Sequence, residues 1–479
     1  MTHIQPKKPG IVFVNPPLSL TARYGKLARA GHISPPLSLC ALAAQTRKYG
    51  YPSFIIDAAV LDYSMKETVK RIIDLQPRFV GLSACTMAIQ SAFQLSELIK
   101  ETAPEIKIII GGPHFTAVPQ ETMKLYPSFD YGVFGEGEDT LIEFLETYES
   151  GVQLDRVYGI LFRDGSEIVE TPRRAYIENL DSLPFPAWDL LPDLPKYYRP
   201  AAHYIHRLPA TTITTSRGCN GRCIFCDRSV FQNENRSFSA DYVLEMMKYL
   251  HKTYGIKDIA MGDDNFVIFK ERLHEICERL IKENLDITWS CFSRVNQIEL
   301  EDFKLMVKSK CHEISFGIES GSQKQLNFLK KGIRLEHVER DLRWAKEAGL
   351  KTNGFFMIGQ PQETEQSIIE TIEFAKKAPL DMFQLSFFTP FPGTAIFKTI
   401  DKYGRFDNDY EKMSAFQIVF IPNGLDENLL KKWYRKAYRS FYLRPKIILS
   451  FLKNAKNPLD LMKYKNGFLA FFKLVTGRN

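Results

Sequence analysis

Two stretches of this chain repeat one pattern, a short β-branched run followed by a turn and a longer amphipathic segment. In the first 150 residues the short runs are 11–14, 53–56, 79–83, 107–110 and 131–134, and helical periodicity fits 37–49, 66–75, 88–101, 119–126 and 139–148. Apolar strands that alternate with helices form a parallel sheet covered on both faces. This predicts an α/β fold with a doubly wound, Rossmann-like domain over 8–150, whose ligands sit at the carboxyl ends of the strands. The alternation returns with runs at 211–215, 256–261, 286–291, 313–316, 351–357 and 382–387, separated by helices including 240–254, 270–283, 335–348 and 363–377. Six such units predict a partial barrel or a strongly curved parallel sheet, again with its chemistry at the strand ends. Residues 151–204 read as a connector, with a hairpin around Asp164-Gly165 and prolines at 184, 186, 192 and 195 that forbid helix. The remainder, 396–479, reads as a helical basic extension.

Composition excludes several classes. A chain of 479 residues holds two to four domains at about 100–200 residues each. Its 44% apolar and 25% charged residues exclude a disordered or fibrous protein. No apolar run approaches the roughly 18–20 residues of a membrane span, and the first residues lack a signal-peptide core. The expectation is a cytoplasmic protein with reduced cysteines.

Charge is distributed unevenly. Residues 431–479 hold 13 Lys or Arg against one acid, Asp460, so they carry +12 of a total of +7. Aromatics interleave with these cations: Trp433, Tyr434, Tyr438, Phe441, Tyr442, Phe451, Tyr464, Phe468, Phe471 and Phe472. One reading is a helical cap whose aromatics pack on the preceding domain. Another is a peripheral contact with an anionic membrane at its inner face, which would suit a lipid-like substrate. Nucleic acid would attract the same charge, but no recognised nucleic-acid module accompanies it.

Chemistry concentrates at strand ends. Cys219, Cys223 and Cys226, spaced x3 and x2, follow the first run of the second block. Three thiolates suit one soft metal centre but fall one short of a closed zinc or four-cysteine iron–sulfur site. A [4Fe–4S] cluster held by three cysteines leaves one iron open; zinc, or a chance grouping of structural cysteines, is the alternative. The other five cysteines read as small core residues. Later strand ends carry Asp263, Asp264 and Asn265, then Ser293 and Arg294, then Glu319, Gly359 and the turn 390–394. Singly, such a carboxylate caps a helix and such a glycine makes a turn. In the first block the ends hold Asn15-Pro16-Pro17, Gly81-Leu82-Ser83, Gly111-Gly112-Pro113-His114 and Gly135-Glu136-Gly137-Glu138. Glycines there either let backbone approach a ligand or only turn the chain.

The C-x3-C-x-aromatic-C pattern, with Phe225 as the aromatic, resembles the radical S-adenosylmethionine (SAM) superfamily. The resemblance spans about 205–395 and implies a partial (β/α)6 radical SAM barrel there, with a [4Fe–4S] cluster on Cys219, Cys223 and Cys226. It also implies SAM contacts from Asp263, Asp264, Asn265, Ser293, Arg294, Glu319 and Gly359. With the first block, the chain resembles class B radical SAM enzymes, whose amino-terminal domain binds cobalamin. That likeness implies cobalamin contacts from Ser83, Gly111, Gly112, Gly135 and Glu136. Many cobalamin domains supply a lower-ligand histidine from Asp-x-His-x-x-Gly; here the stretch reads Asp57-Ala58-Ala59-Val60-Leu61. Either cobalamin binds without a histidine lower ligand or the domain is a structural module that has lost the cofactor. The implied function is a cobalamin-dependent radical SAM enzyme that cleaves SAM reductively, using an external electron donor, and methylates an unactivated carbon of a small-molecule or lipid-like substrate. A radical SAM oxidative cyclase or rearrangement enzyme acting on a lipid, isoprenoid or tetrapyrrole-like substrate is the alternative. A non-catalytic iron–sulfur sensor is the third reading. The resemblance names no catalytic side chain.

Overall fold

The computed structural model describes residues 8–25, 28, 31–201, 204–454, 465, 467–469 and 471–472. Two compact units emerge: residues 1–19, 35–194 and 227–232 form the first, and 20–34, 195–226 and 233–479 the second.

The first unit is built on a seven-stranded sheet. Strands β1 (Ile11–Asn15), β2 (Ser53–Asp57), β3 (Phe79–Ser83), β4 (Lys107–Gly111) and β5 (Tyr131–Val133) are parallel, in the order β2-β1-β3-β4-β5. The order reverses between β1 and β3, which makes their carboxyl ends the topological switch point of a doubly wound sheet. The hairpin β6 (Ile160–Asp164) and β7 (Glu167–Glu170), read from sequence as part of a connector, instead extends this sheet antiparallel beyond β5. Buried Phe13, Phe79, Phe144, Leu145 and Val157 fill the core on one face. Helix boundaries follow local chemistry. The Ser64 side chain caps Met65–Asp74 by accepting from the Glu67 N–H, and Gly151, at φ +68°, ends Glu138–Ser150.

The second unit holds six parallel strands: β8 (Ala210–Ile213), β11 (Asp258–Met261), β12 (Thr288–Ser293), β13 (Cys311–Glu319), β14 (Lys351–Ile358) and β15 (Met382–Phe387). They neighbour one another in sequence order and leave β8 and β15 as edges, so the barrel is open. Between β8 and β11 lies a two-stranded pair, β9 (Ser216–Arg217) with β10 (Arg236–Ser237); a second, β16 (Gly404–Phe406) with β17 (Phe420–Pro422), follows β15. The barrel helices Ala240–Tyr254, Lys270–Glu283 and Leu335–Ala348 match the sequence periodicity residue for residue.

Two helices, Glu427–Tyr442 and Pro445–Asn454, belong to the basic extension. The first buries Leu430, Trp433, Tyr434, Tyr438 and Phe441. The Tyr438 hydroxyl accepts from the Leu385 N–H (3.3 Å) and donates to the Leu385 carbonyl (3.2 Å); Tyr442 does the same at Phe383 (3.1 and 2.8 Å). Tyrosines four apart on a helix match alternate residues along a strand, so their hydroxyls satisfy the free edge of β15. This stretch of the tail is therefore a cap on the barrel. Phe468 and Phe472 are exposed, and Tyr464 lies outside the described residues. Among the described residues no helix is long and apolar enough to cross a membrane.

Candidate functional site

The three cysteines lie on the loop that leaves β8. Two backbone bonds stitch this loop to the rest of the unit: Ile224 N–H to the Leu329 carbonyl and Ile396 N–H to the Ile224 carbonyl, both 3.1 Å. Ile224 and Phe225 pack on buried Phe388, Ile396, Ile400 and Phe420, which fixes the loop from behind. The Gly221 N–H donates to Cys219 Sγ (3.4 Å), and Arg294 Nη1 donates to Cys223 Sγ (3.4 Å). A Cβ at Gly221 would lie 2.5 Å from Arg294 Nη1 and 3.5 Å from Cys219 Sγ, so glycine is required for this approach. Cys223 is buried and Cys226 exposed. The Cys226 thiol is pushed up to about 12 by the protein around it and then by Asp264, while Lys331 acts in the opposite sense.

Among the described residues no three His, Cys, Asp or Glu side chains converge tightly enough for one metal ion. A cubane cluster asks for something else, one thiolate for each of three irons. Three soft donors with N–H and guanidinium groups turned toward sulfur fit that requirement.

The strand ends around this loop differ from one another in role. Asp263 is buried and accepts from Thr215 N–H and Oγ1 (2.5 Å each) and from the Ser216 N–H (3.1 Å). Arg272 pairs with it at 3.7 Å and donates to the Thr215 carbonyl at 2.6 Å. Burial raises the Asp263 carboxyl, against the pull of Arg272. Asp263 is thus the clasp that holds the exit of β8. Asp264, next to it, is exposed. Asn265 is fully buried; its Oδ1 accepts from the Arg294 N–H (3.1 Å), and its Nδ2 has no partner among the described residues. Ser293 Oγ donates to the Arg294 carbonyl (2.7 Å). Glu319 ends β13 at φ +71°, a conformation that strains a side-chain-bearing residue, and pairs with buried Lys331 at 2.8 Å. Gly359, at φ +82°, gives its N–H to Glu363 Oε2 (2.5 Å), and Leu430 of the cap packs against it. Burial lifts the Glu363 carboxyl to about 8.

Lys331 is not marked in the sequence, because Lys330-Lys331-Gly332 looks like a solvated charge run. The only local signal is the glycine that follows, which the structure places at φ +70° after the short helix Gln323–Phe328.

In the first unit, Ser83 and Gly111 are register partners at the ends of β3 and β4. Gly112 follows at φ +96°, where a Cβ would sit 2.9 Å from Ala84 N and O and from Ser83 Oγ. Gly135, at φ +81°, gives its N–H to Thr116 Oγ1 (3.2 Å) beside the Arg173 guanidinium. Buried Glu136 accepts from the Ile177 N–H (3.0 Å), which anchors the chain after the hairpin. Asp57 is buried and accepts from Asn15 Nδ2 (2.8 Å) and the Val60 N–H (3.2 Å), so the stretch that could have offered a histidine is a closed turn. His114 is buried and its imidazole is lowered to about 4 by burial, which keeps it neutral. These backbone-lined ends fit a large cofactor approached without an imidazole from 57–61. One core assignment fails: Cys40, Cys277, Cys291 and Cys311 are buried, but Cys85 is exposed because the chain has left β3 for the loop at its carboxyl end.

The sequence matches the radical SAM superfamily over 213–375 and the B12 binding domain over 26–145. It is 35% identical over 421 residues to an uncharacterized methyltransferase of Pyrococcus horikoshii, covering 88% of this chain and 90% of that one. It is 29% identical over 447 residues to the anaerobic magnesium-protoporphyrin IX monomethyl ester cyclase of Rubrivivax gelatinosus, covering 91% and 79%. The fold is similar to that of the cobalamin-dependent SAM radical enzyme OxsB, solved with aqua-cobalamin and SAM, with a TM-score of 0.73 at 20% identity, covering 97% of this chain and 72% of that one. The cofactors are a [4Fe–4S] cluster, SAM and cobalamin. A three-cysteine loop at the mouth of an open parallel barrel, joined to a doubly wound B12-binding unit, marks the chain as a member of the class B branch of the radical SAM superfamily.

Proposed function

We propose that this enzyme methylates an unactivated carbon of a small-molecule or lipid-like substrate. The observation that carries the reading is the 35% identity, across nine-tenths of its length, to a protein described as a methyltransferase. Cys219, Cys223 and Cys226 would hold the cluster. Asp264, Asn265, Ser293, Arg294 and Glu319 would bind the amino-acid and ribose parts of SAM, Gly359 would lie by its adenine, and Asp263 would support the loop from behind. Ser83, Gly111, Gly112, Gly135 and Glu136 would line the cobalamin site. When bound, the reduced cluster and SAM supply a 5′-deoxyadenosyl radical for hydrogen abstraction, and cobalamin supplies the methyl group. The protein's part is to orient these groups and exclude water.

The test is anaerobic reconstitution with iron, sulfide, SAM, cobalamin and an external reductant, followed by a search of extracts for products. Formation of 5′-deoxyadenosine together with a product heavier by one methylene supports methyl transfer. Formation of 5′-deoxyadenosine with a dehydrogenated or cyclised product supports the second reading, which the 29% identity to the cyclase favours. A cluster-loaded sample that yields no 5′-deoxyadenosine defeats both.

The exposed cations Lys431, Lys432, Arg435 and Lys436, followed by exposed Leu443, Ile448 and Leu449, support a peripheral contact with anionic lipid. Cosedimentation of the full chain with anionic but not neutral vesicles, weakened by Leu449→Asp, is the expected result.

A further inference from the structure

Lys331 is an unusual residue to find beside an iron–sulfur loop. It is 5% exposed, and buried lysines persist only when paired. Its partner is Glu319, at 2.8 Å, and its ammonium lies 5.9 Å from the centre of the Phe225 ring, between the second and third cysteines. A Cβ at Gly317 would lie 2.8 Å from both Lys331 Nζ and Glu319 Oε1, so glycine there lets the ion pair close over the strand without displacement. The Lys331 carbonyl accepts from Arg294 Nη2, while the other arm of the same guanidinium donates to Cys223 Sγ. A single chain of contacts therefore runs from a cluster thiol through Arg294 to the Lys331 backbone and on to Glu319. It places two cations against one carboxylate, and the acceptors of Arg294 are a thiol and a carbonyl rather than an acid.

A cluster ligated by three thiolates gains one negative charge when it is reduced. Fixed positive charge in a partly desolvated site favours that more negative state, and the charge of a fixed carboxylate opposes it.

We propose that Lys331, held by Glu319 and coupled to the cluster loop through Arg294, is a positioning residue that sets the reduction potential of the [4Fe–4S] cluster. The step is the entry of one electron from an external reductant into the cluster, with no bond made or broken. The inference rests on the cluster being held by Cys219, Cys223 and Cys226. It predicts opposite signs for the two members of the pair. Lys331→Met removes the cation and leaves the carboxylate, so the cluster becomes harder to reduce. Glu319→Gln removes the carboxylate and leaves the cation, so it becomes easier.

The test is a potentiometric titration of the reconstituted full-length chain without SAM, followed by electron paramagnetic resonance of the reduced cluster. The expected result is a change of about tenfold in the reduction equilibrium, or roughly 59 mV for one electron, negative for Lys331→Met and positive for Glu319→Gln. The double variant should fall between them. Two single variants that keep wild-type iron content and stay within about twofold of wild type, or that shift the same way, overturn the proposal. If Lys331→Met does not take up iron, the sign of the Glu319→Gln shift decides alone. The outcomes separate from those of the proposed function. A wild-type chain that loads the cluster but forms no 5′-deoxyadenosine defeats that reading and leaves the potential shifts interpretable.

Discussion

On the proposed site assignment, the two units solve the same problem, presenting a cofactor at the carboxyl ends of parallel strands, with different materials. In the first unit the strand ends are backbone. Gly111, Gly112 and Gly135 leave no side chain at the turns, and the nearby polar side chains Asp57 and Glu136 are committed to holding the chain. In the second unit the strand ends are side chains. Arg294 reaches a thiol, Glu319 pairs with Lys331, and Asp263 clasps the loop exit. A large, preformed cofactor needs surface and room, which glycine provides. A cluster and a cleavable cosubstrate need fixed charges and ligands, which only side chains supply. The first unit should therefore fail through backbone changes and the second through loss of single functional groups.

The largest effect expected is in the second unit. Cys226→Ala removes a thiolate that no neighbouring cysteine can replace, since Cys277, Cys291 and Cys311 are buried elsewhere in the barrel. Iron content and the iron–sulfur absorbance should collapse and 5′-deoxyadenosine formation should vanish, while cobalamin uptake persists. Loss of cobalamin along with iron would break the division of labour between the units.

The converse variant comes next. Gly112→Ala forces a side chain into φ +96° and drives its Cβ to 2.9 Å from the Ala84 backbone. Strain and overpacking together should cost about 2–4 kcal/mol. Cobalamin retention should be lost while the barrel still loads its cluster, which equilibrium dialysis and iron analysis would read separately.

How much of this was legible in the sequence follows the same divide. Strand positions and the barrel helices could be read because apolar periodicity is local, and the cysteine loop because its spacing is local too. The clasp of Asp263 on Thr215 spans 48 positions, and the pairing of Glu319 with Lys331 spans 12, with the intervening chain folded back. No periodicity encodes such contacts. The hairpin 160–170 looked like a linker because two short strands do not say which sheet edge they will join. The tail was ambiguous for a related reason. An amphipathic helix with aromatics on one face reads alike whether that face meets a barrel edge or a bilayer, and only Tyr438 and Tyr442 meeting Leu385 and Phe383 separates the two.

The units should also respond to pH in opposite directions. His114 in the first unit titrates at about 4 in the fold against 6.5 for an ordinary histidine. Its contribution is complete above pH 6.5 and is lost as pH falls toward 4, about 3 kcal/mol in all. Glu363 in the second unit is held near 8, against 4.5 for an ordinary glutamate, by burial that outweighs the N–H bonds from Gly359 and Gln360. Its contribution is complete below pH 4.5 and is lost as pH rises through 8. Thermal denaturation between pH 4 and 9 should show the acid slope relieved by His114→Gln and the alkaline slope by Glu363→Gln. A variant that changes the slope on the wrong side would overturn the assignment.

The smallest effect concerns the β15 edge, where side chains of the extension do for a strand what another strand would normally do. Tyr442→Phe keeps the ring, which stacks near Tyr438 and Phe451, and removes only the hydroxyl bonded to Phe383 N and O. Leaving those two backbone groups without their partner should cost about 1–2 kcal/mol. Tyr438→Phe should cost a similar amount at Leu385. The two sites share one helix and one strand, so the double variant should fall short of the sum. Hydrogen exchange at the Phe383 and Leu385 amides would read this directly. Faster exchange there, with cluster loading unchanged, would show that the cap protects an edge and does not build the site. Slower iron uptake in the same variants would instead tie the cap to the cluster, through Leu430 and Gly359.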